Sequence, residues 1–317
     1  MMKRMVLFLL LCCFSFPSCA ETGELIAVSQ KGVLSEVLDV LDRGYPVDER
    51  DENGLTPLMW AVRVNSSLDV IDALVKAGAF VNAKDNTGTT PLLWAAEKTK
   101  NPKVISYLLS KGAFIEESDM DGTTALMWAC VHNEKEVVDI LIEGGADVNA
   151  SDSFGMTPLL WASRSNRDVG VLKSLLDAGA DVYARGDGGA TALMYAAENN
   201  PNPEILDVLI SNGSNLYEHD DYGATALMWA AYNNKRESVV QKLLELGSSV
   251  NDRNVDGKTA LILASEKTTN PKIVGLLLDA GADIRVTDND GKTAYTYALE
   301  NSELVKEQEI LERLKTD

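Results

Sequence analysis

At 317 residues, with 45% hydrophobic and 24% charged side chains, the chain can bury a sizeable core, which argues against a disordered polymer or a bundle of membrane helices. The formal net charge is −19, and the positive residues are scattered among more numerous acids. That distribution disfavours nucleic acid and anionic lipid, whose phosphates are held by clustered Lys and Arg, and favours solubility and the attraction of a basic partner.

The chain begins "MMKRMVLFLLLCCFSFPSCAETGE", with Lys3 and Arg4 ahead of an apolar run from Met5 to Phe16 and small residues at Ser18 and Ala20. This is the pattern of a secretory signal cleaved after Ala20. The run is shorter than the roughly 20 residues of a spanning helix. Cys19 sits where a bacterial lipoprotein carries its acylated cysteine, although Phe16 and Pro17 depart from the usual residues, so release and lipid anchoring both stay open. Either reading places the mature chain outside the cytoplasm, in the periplasm or cell envelope or secreted. Loss of residues 1–20 takes Lys3 and Arg4 with it, moving the net charge to −21. It also removes Cys12, Cys13 and Cys19, which leaves Cys130 without a disulfide partner, so packing alone must hold the fold.

From there the chain repeats. Thr56, Thr90, Thr124, Thr157, Thr191, Thr225, Thr259 and Thr293 recur every 34 residues, with a single interval of 33 after Thr124. Gly44, Gly78, Gly112, Gly145, Gly179, Gly213, Gly247 and Gly281 run in step with them. Two registers in phase indicate one structural unit repeated. Each Thr is suited to cap a short helix, and Pro57, Pro91 and Pro158 stand at its first position, where no helical bond is lost. A second helix follows, with apolar pairs such as Val137-Val138 and Leu141-Ile142, and the glycine register stops it. The 34-residue units should carry their extra residue in the turn between the two helices. Asp, Asn and Gly then form a projecting hairpin-like turn, with Asp51, Asp85, Asp119, Asp152, Asp220 and Asp288 three residues before the turn glycine. Gly186 and Asn254 are the exceptions.

The strings "G-x-T-P-L-x-x-A" and "LL-x-x-G-A-D-V-N-A" resemble the ankyrin-repeat family over essentially the whole mature chain. The resemblance implies an all-α ankyrin-repeat solenoid of about nine helix-turn-helix units with β-hairpin-like loops. Residues 21–53 look like a degenerate capping repeat, 54–290 like seven full repeats, and 291–317 like a C-terminal capping repeat ending in a charged helix. Members of that family usually bind proteins through a concave surface of loops and inner helices. The expected function is therefore a monomeric protein-interaction scaffold outside the cytoplasm, with a secreted factor acting on a host or competitor protein as the alternative. Neither reading needs enzymatic activity or a cofactor.

Where the family often carries His after Thr-Pro-Leu, this chain has Met59, Leu93, Met127, Leu160, Met194, Met228, Ile262 and Thr296. The next position holds Trp60, Trp94, Trp128, Trp161, Tyr195, Trp229, Leu263 and Tyr297. Burial of one Trp removes roughly 150–250 Å² from water, so packing alone can justify the ladder. A concave aromatic strip of Trp60, Trp94, Trp128, Trp161, Tyr195 and Trp229 that also meets a partner is the second reading. At the loop tips, Met120, Phe154, Tyr222 and Val255 are apolar without a packing duty and are the better contact candidates. Acidic tips such as "DMDG" lack the spacing of a calcium loop, and "RGDGGAT" lacks the Lys-Ser/Thr of a phosphate loop. His132 and His219, the two histidines, are expected in loops and give little material for a metal site or a catalytic base. Cys130 is expected to be buried and inert, and no catalytic constellation stands out.

Overall fold

A computed structural model describes residues 23–132, 134–233 and 236–315. The expected leader and Cys19 lie outside the described residues. Among the described residues eighteen α-helices follow one another in pairs. The first helices of the pairs are α1 (Glu24–Lys31), α3 (Pro57–Trp60), α5 (Pro91–Lys98), α7 (Ala125–His132), α9 (Pro158–Ser165), α11 (Ala192–Asn199), α13 (Ala226–Asn233), α15 (Ala260–Lys267) and α17 (Ala294–Glu300). Their partners are α2 (Leu34–Asp42), α4 (Leu68–Lys76), α6 (Pro102–Ser110), α8 (Lys135–Glu143), α10 (Val169–Asp177), α12 (Glu204–Ser211), α14 (Glu237–Glu245), α16 (Pro271–Asp279) and α18 (Gln308–Leu314). The fold is an all-helical solenoid with no strands among the described residues, only isolated bridges such as Ser118 to Thr124.

The threonine register caps as its chemistry requires. Thr90 Oγ1 accepts the Leu93 amide at 3.3 Å, and Thr157, Thr191, Thr225 and Thr259 accept the corresponding amides at 3.4 Å. The glycine register ends the second helices. Gly78 adopts φ +100°, and a Cβ built there would meet nothing within 4 Å, so its left-handed backbone and not crowding demands glycine. The extra residue of the longer units does fall between the helices: three residues separate α5 from α6, against two between α7 and α8. One unit departs from the pattern. There α3 runs on into a π-helical turn, Ala61–Asn65, and the chain leaves it at Ser66 with φ 49°, the one non-glycine left-handed residue described.

From α5 to α17 the first helices pack more extensively against one another than the second helices do against theirs. Buried Ala95, Ala96, Ala129, Ala162, Ala196, Ala197, Ala230 and Ala231 permit this approach. The first helices are thus the more extensively packed row of the stack. Leu, Ile and Val from both rows form a continuous core from Leu25 to Leu314. The residues standing in place of the family histidine, Met59 through Ile262, are buried. The charged end is not one helix: a 3-10 turn (Leu304–Lys306) precedes α18, because the Asn301 side chain accepts the Glu303 and Leu304 amides and starts a new turn. Leu304, Leu311 and Leu314 close the core while Glu307, Glu309 and Glu312 face solvent.

Candidate functional site

The site begins with an aspartate that organises each hairpin. Asp220 Oδ1 accepts the amides of Tyr222 at 2.9 Å and Ala224 at 2.8 Å, which folds the turn around one carboxylate oxygen. The other oxygen is free to reach the helix that follows. Trp229 donates its indole N–H to it at 2.8 Å. The same nine-residue pairing joins Trp60 to Asp51 at 2.9 Å, Trp94 to Asp85 at 3.0 Å, Trp128 to Asp119 at 3.2 Å and Trp161 to Asp152 at 2.9 Å. In the last unit the Tyr297 hydroxyl donates to Asp288 at 2.7 Å.

The two exceptions in the aspartate register coincide with exceptions in the tryptophan register. Gly186 precedes Tyr195 by nine, and a Cβ on Gly186 would lie 2.6 Å from the Tyr195 hydroxyl. The missing side chain makes room for the phenol. Asn254 precedes Leu263 by nine, and its Oδ1 still holds the turn through the amides of Asp256 and Lys258. Leu263 has no polar hydrogen to donate, so the second carboxylate oxygen is dispensable there.

Environment sets the charge of these carboxylates. Burial pushes the Asp119 carboxyl above its ordinary range, against the opposing Thr123 amide and Trp128 indole. Burial acts on Asp288 in the same direction, but the Tyr297 hydroxyl, the Lys292 and Asp290 amides and the Lys258 charge outweigh it and hold that carboxyl below its ordinary range.

The aromatic strip is only partly open. Trp94, Trp128, Trp161 and Trp229 are half-buried and pack against the core. Trp60 is 6% exposed and Tyr195 1%, which corrects their place among the partner-contacting candidates. Trp60 is shut in a small cluster with Ile26, Leu55, Met59 and Ala83, and the hydroxyl of Tyr195 points into the space left by Gly186. Two arginines enter the strip from within the chain. Arg63 lies 5.0 Å from the centre of the Trp60 ring and 4.6 Å from that of Trp94, while Arg164 lies 5.9 Å from both Trp161 and Tyr195. Glu198, one repeat after Arg164, stands in the same register, and its carboxylate accepts the side-chain amides of Asn199 at 2.7 Å and Asn233 at 2.8 Å. Burial pushes this carboxyl above its ordinary range.

The loop tips are open. Met120 is 77% exposed, Val255 60%, Tyr222 55% and Phe154 42%. Most are tied to a neighbour, because every tip but the Gly186–Gly189 turn donates a backbone amide to a carbonyl of the tip before it. Met120 bonds Thr87 at 3.0 Å, Ser153 bonds Asp121 at 2.9 Å, and Val255 bonds Tyr222 at 2.9 Å. Tyr222 also lies across Gly188, whose added Cβ would sit 3.3 Å from the ring. Asp187, Asp221, Asp256 and Asp290 are exposed among these residues.

Cys130 is fully buried, and burial raises its thiol pKa so that little thiolate forms. His132 was expected in a loop; it is instead the last residue of α7, stacked on Trp128 with ring centres 6.0 Å apart, because the helix runs one turn past the tryptophan. His219 is in a loop and exposed. Among the described residues no group of three His, Cys, Asp or Glu is placed to hold a metal ion, and no helix is long and apolar enough to cross a membrane.

Two features escaped the sequence. Asn166, Asn200 and Asn301, just after first helices, bridge repeats: the Asn200 amide donates to Ser163 O at 2.9 Å and Asn166 O at 2.7 Å. Their recurrence three or four residues after Ala162, Ala196 and Ala298 was the available signal. Phe80 and Phe114 are exposed beyond the second-helix glycines, where later repeats carry Asp147 and Asp181.

Residues 25–119, 113–186, 169–254 and 236–315 match the family model described as ankyrin repeats (3 copies). Among solved structures, the human ASB11 ankyrin repeat domain is similar, with a TM-score of 0.63 and 25% identity over 72% of this chain and 99% of that domain. No curated protein matches the chain.

Proposed function

The chain belongs to the ankyrin-repeat family, and on that premise we propose that it is a non-catalytic, monomeric scaffold that binds another protein through its hairpin tips and concave face. The observation that carries this reading is the row Met120, Phe154, Tyr222 and Val255, which is exposed yet built on turns that are each tied by a backbone bond to a neighbouring tip. A rigid row loses little freedom on binding, so its apolar contacts are not offset by an ordering cost. The exposed acids beside it suit a partner with a basic or mixed surface. The leader-like start of the chain supports action outside the cytoplasm, released or anchored through Cys19.

Crosslinking in intact cells, followed by mass spectrometry, identifies the partner. Replacing Phe154 and Tyr222 together with Ala should weaken capture without changing the urea midpoint. Undiminished capture by a folded double variant refutes this choice of face.

A further inference from the structure

The position three residues after each ladder aromatic differs along the stack in a way that packing does not require. It holds Arg63, Glu97, Val131, Arg164, Glu198, Tyr232, Glu266 and Glu300. Where it holds arginine, the guanidinium turns toward the next repeat and lies over two rings, the arrangement in which a cation is attracted by the negative faces of aromatic side chains. The repeat geometry therefore accepts a guanidinium between successive aromatics, and the chain itself shows it twice.

Most of the acids in this register are already answered by lysine. Glu97 pairs with Lys98 at 2.5 Å, Glu266 with Lys258 at 2.5 Å and Glu300 with Lys292 at 3.2 Å, and both Lys258 and Lys292 lie over the Tyr297 ring. Glu198 differs. It accepts the neutral amides of Asn199 and Asn233 and feels the charge of Arg164 at longer range, but among the described residues no cation lies within ion-pair distance of it or over the Trp229 ring. Trp229 is half-buried and braced by the edge of Tyr195, with ring centres 5.9 Å apart. The Glu198 carboxylate thus stands at the place in the repeat where a resident arginine elsewhere lies over the aromatic of the next repeat, which here is the half-buried Trp229.

We propose that Glu198 and Trp229 form a receptor for an arginine side chain of the partner protein. The guanidinium would lie against the Trp229 ring and donate to the Glu198 carboxylate, completing from outside the cation ladder that Arg63 and Arg164 complete from within. Arginine fits better than lysine because its planar, weakly hydrated head can stack on a ring while its fork of N–H groups meets a carboxylate. This assignment rests on the scaffold reading and names one contact of the concave face.

The test uses the full chain, 15N-labelled, with three synthetic dodecapeptides of alternating glycine and a second residue: arginine, lysine or citrulline. The arginine peptide should shift the Trp229 indole N–H resonance more than the other four indoles. Citrulline, which keeps the shape without the charge, should leave it unmoved, and lysine at equal charge should bind more weakly. Glu198→Gln should weaken the arginine peptide about tenfold, or roughly 1.4 kcal/mol. Equal effects of arginine and lysine at Trp229 on the unaltered protein overturn the proposal, as does an arginine shift centred on another indole or unchanged affinity in folded Glu198→Gln. Such a failure leaves the scaffold reading standing if the Phe154 and Tyr222 double variant loses its captured partner. Capture that survives that variant refutes the tip face without touching the arginine receptor.

Discussion

Trp229 donates its indole N–H to the carboxylate of Asp220, nine residues earlier, at 2.8 Å, and so ties a hairpin turn to the helix it precedes. The bond is charge-assisted and partly shielded from water, a setting in which such bonds contribute about 1.5–3 kcal/mol. A double-mutant cycle on Trp229→Phe and Asp220→Asn should therefore return a coupling energy of about 1–3 kcal/mol in urea unfolding. Asparagine preserves the turn, as Asn254 does in its own repeat, so the cycle isolates the ring contact. Strict additivity would show that the bond contributes nothing.

The pairing of Gly186 with Tyr195 predicts a rescue. Gly186→Asp alone should destabilise the chain by about 1–3 kcal/mol, because its side chain meets the Tyr195 hydroxyl and the Met156 sulfur. Adding Tyr195→Trp removes that hydroxyl and restores the pair used by five other repeats. Chemical denaturation should show the double variant more stable than Gly186→Asp alone; a double variant that is worse refutes the coupling.

Asn200 is buried, and its amide answers two carbonyls of the preceding repeat. Asn200→Ala leaves both without that donor and should cost about 2–4 kcal/mol, more than loss of one solvated bond. Hydrogen exchange should localise the loss to the turn between α9 and α10 and its neighbour. A fall below about 0.5 kcal/mol, within the usual scatter of surface substitutions, would mean that water takes over the role.

Asp119 and Asp288 should titrate in opposite directions, as followed by carboxyl 13C shifts. The raised Asp119 favours the folded state while protonated, and this contribution is lost as pH rises through its raised value. The lowered Asp288 stabilises the fold above the ordinary carboxylate range, and this contribution is lost as pH falls through its lowered value. Removing Tyr297 by Tyr297→Phe should bring Asp288 back toward the ordinary range. An unchanged Asp288 titration would show that the hydroxyl is not what holds it down.

Much of this architecture was legible because each repeat solves its local problem with local residues. Threonine caps a helix three residues away, and glycine ends one through its own φ, so both registers could be read without knowing what packs where. The tip candidates Met120, Phe154, Tyr222 and Val255 were legible for the converse reason, since a side chain with no packing duty in its repeat projects outward. The misjudged residues depend on neighbours a repeat away. Tyr195 looked like part of an open strip, yet its burial follows from the absent side chain of Gly186. His132 looked like a loop residue, yet it extends α7 and stacks on Trp128.

By itself, the sequence determined the repeat, its caps and glycine stops and its family, because caps, stops and apolar periodicity act over a few residues. Only the tertiary structure decided which aromatics are sealed, which acids are already paired, and that the aspartate and tryptophan registers are two ends of one hydrogen bond. Those outcomes depend on distances across a turn or between repeats. Spacing alone does not report such distances, and only the packed stack brings Arg63 over Trp94 while giving Glu198 the amide of Asn233.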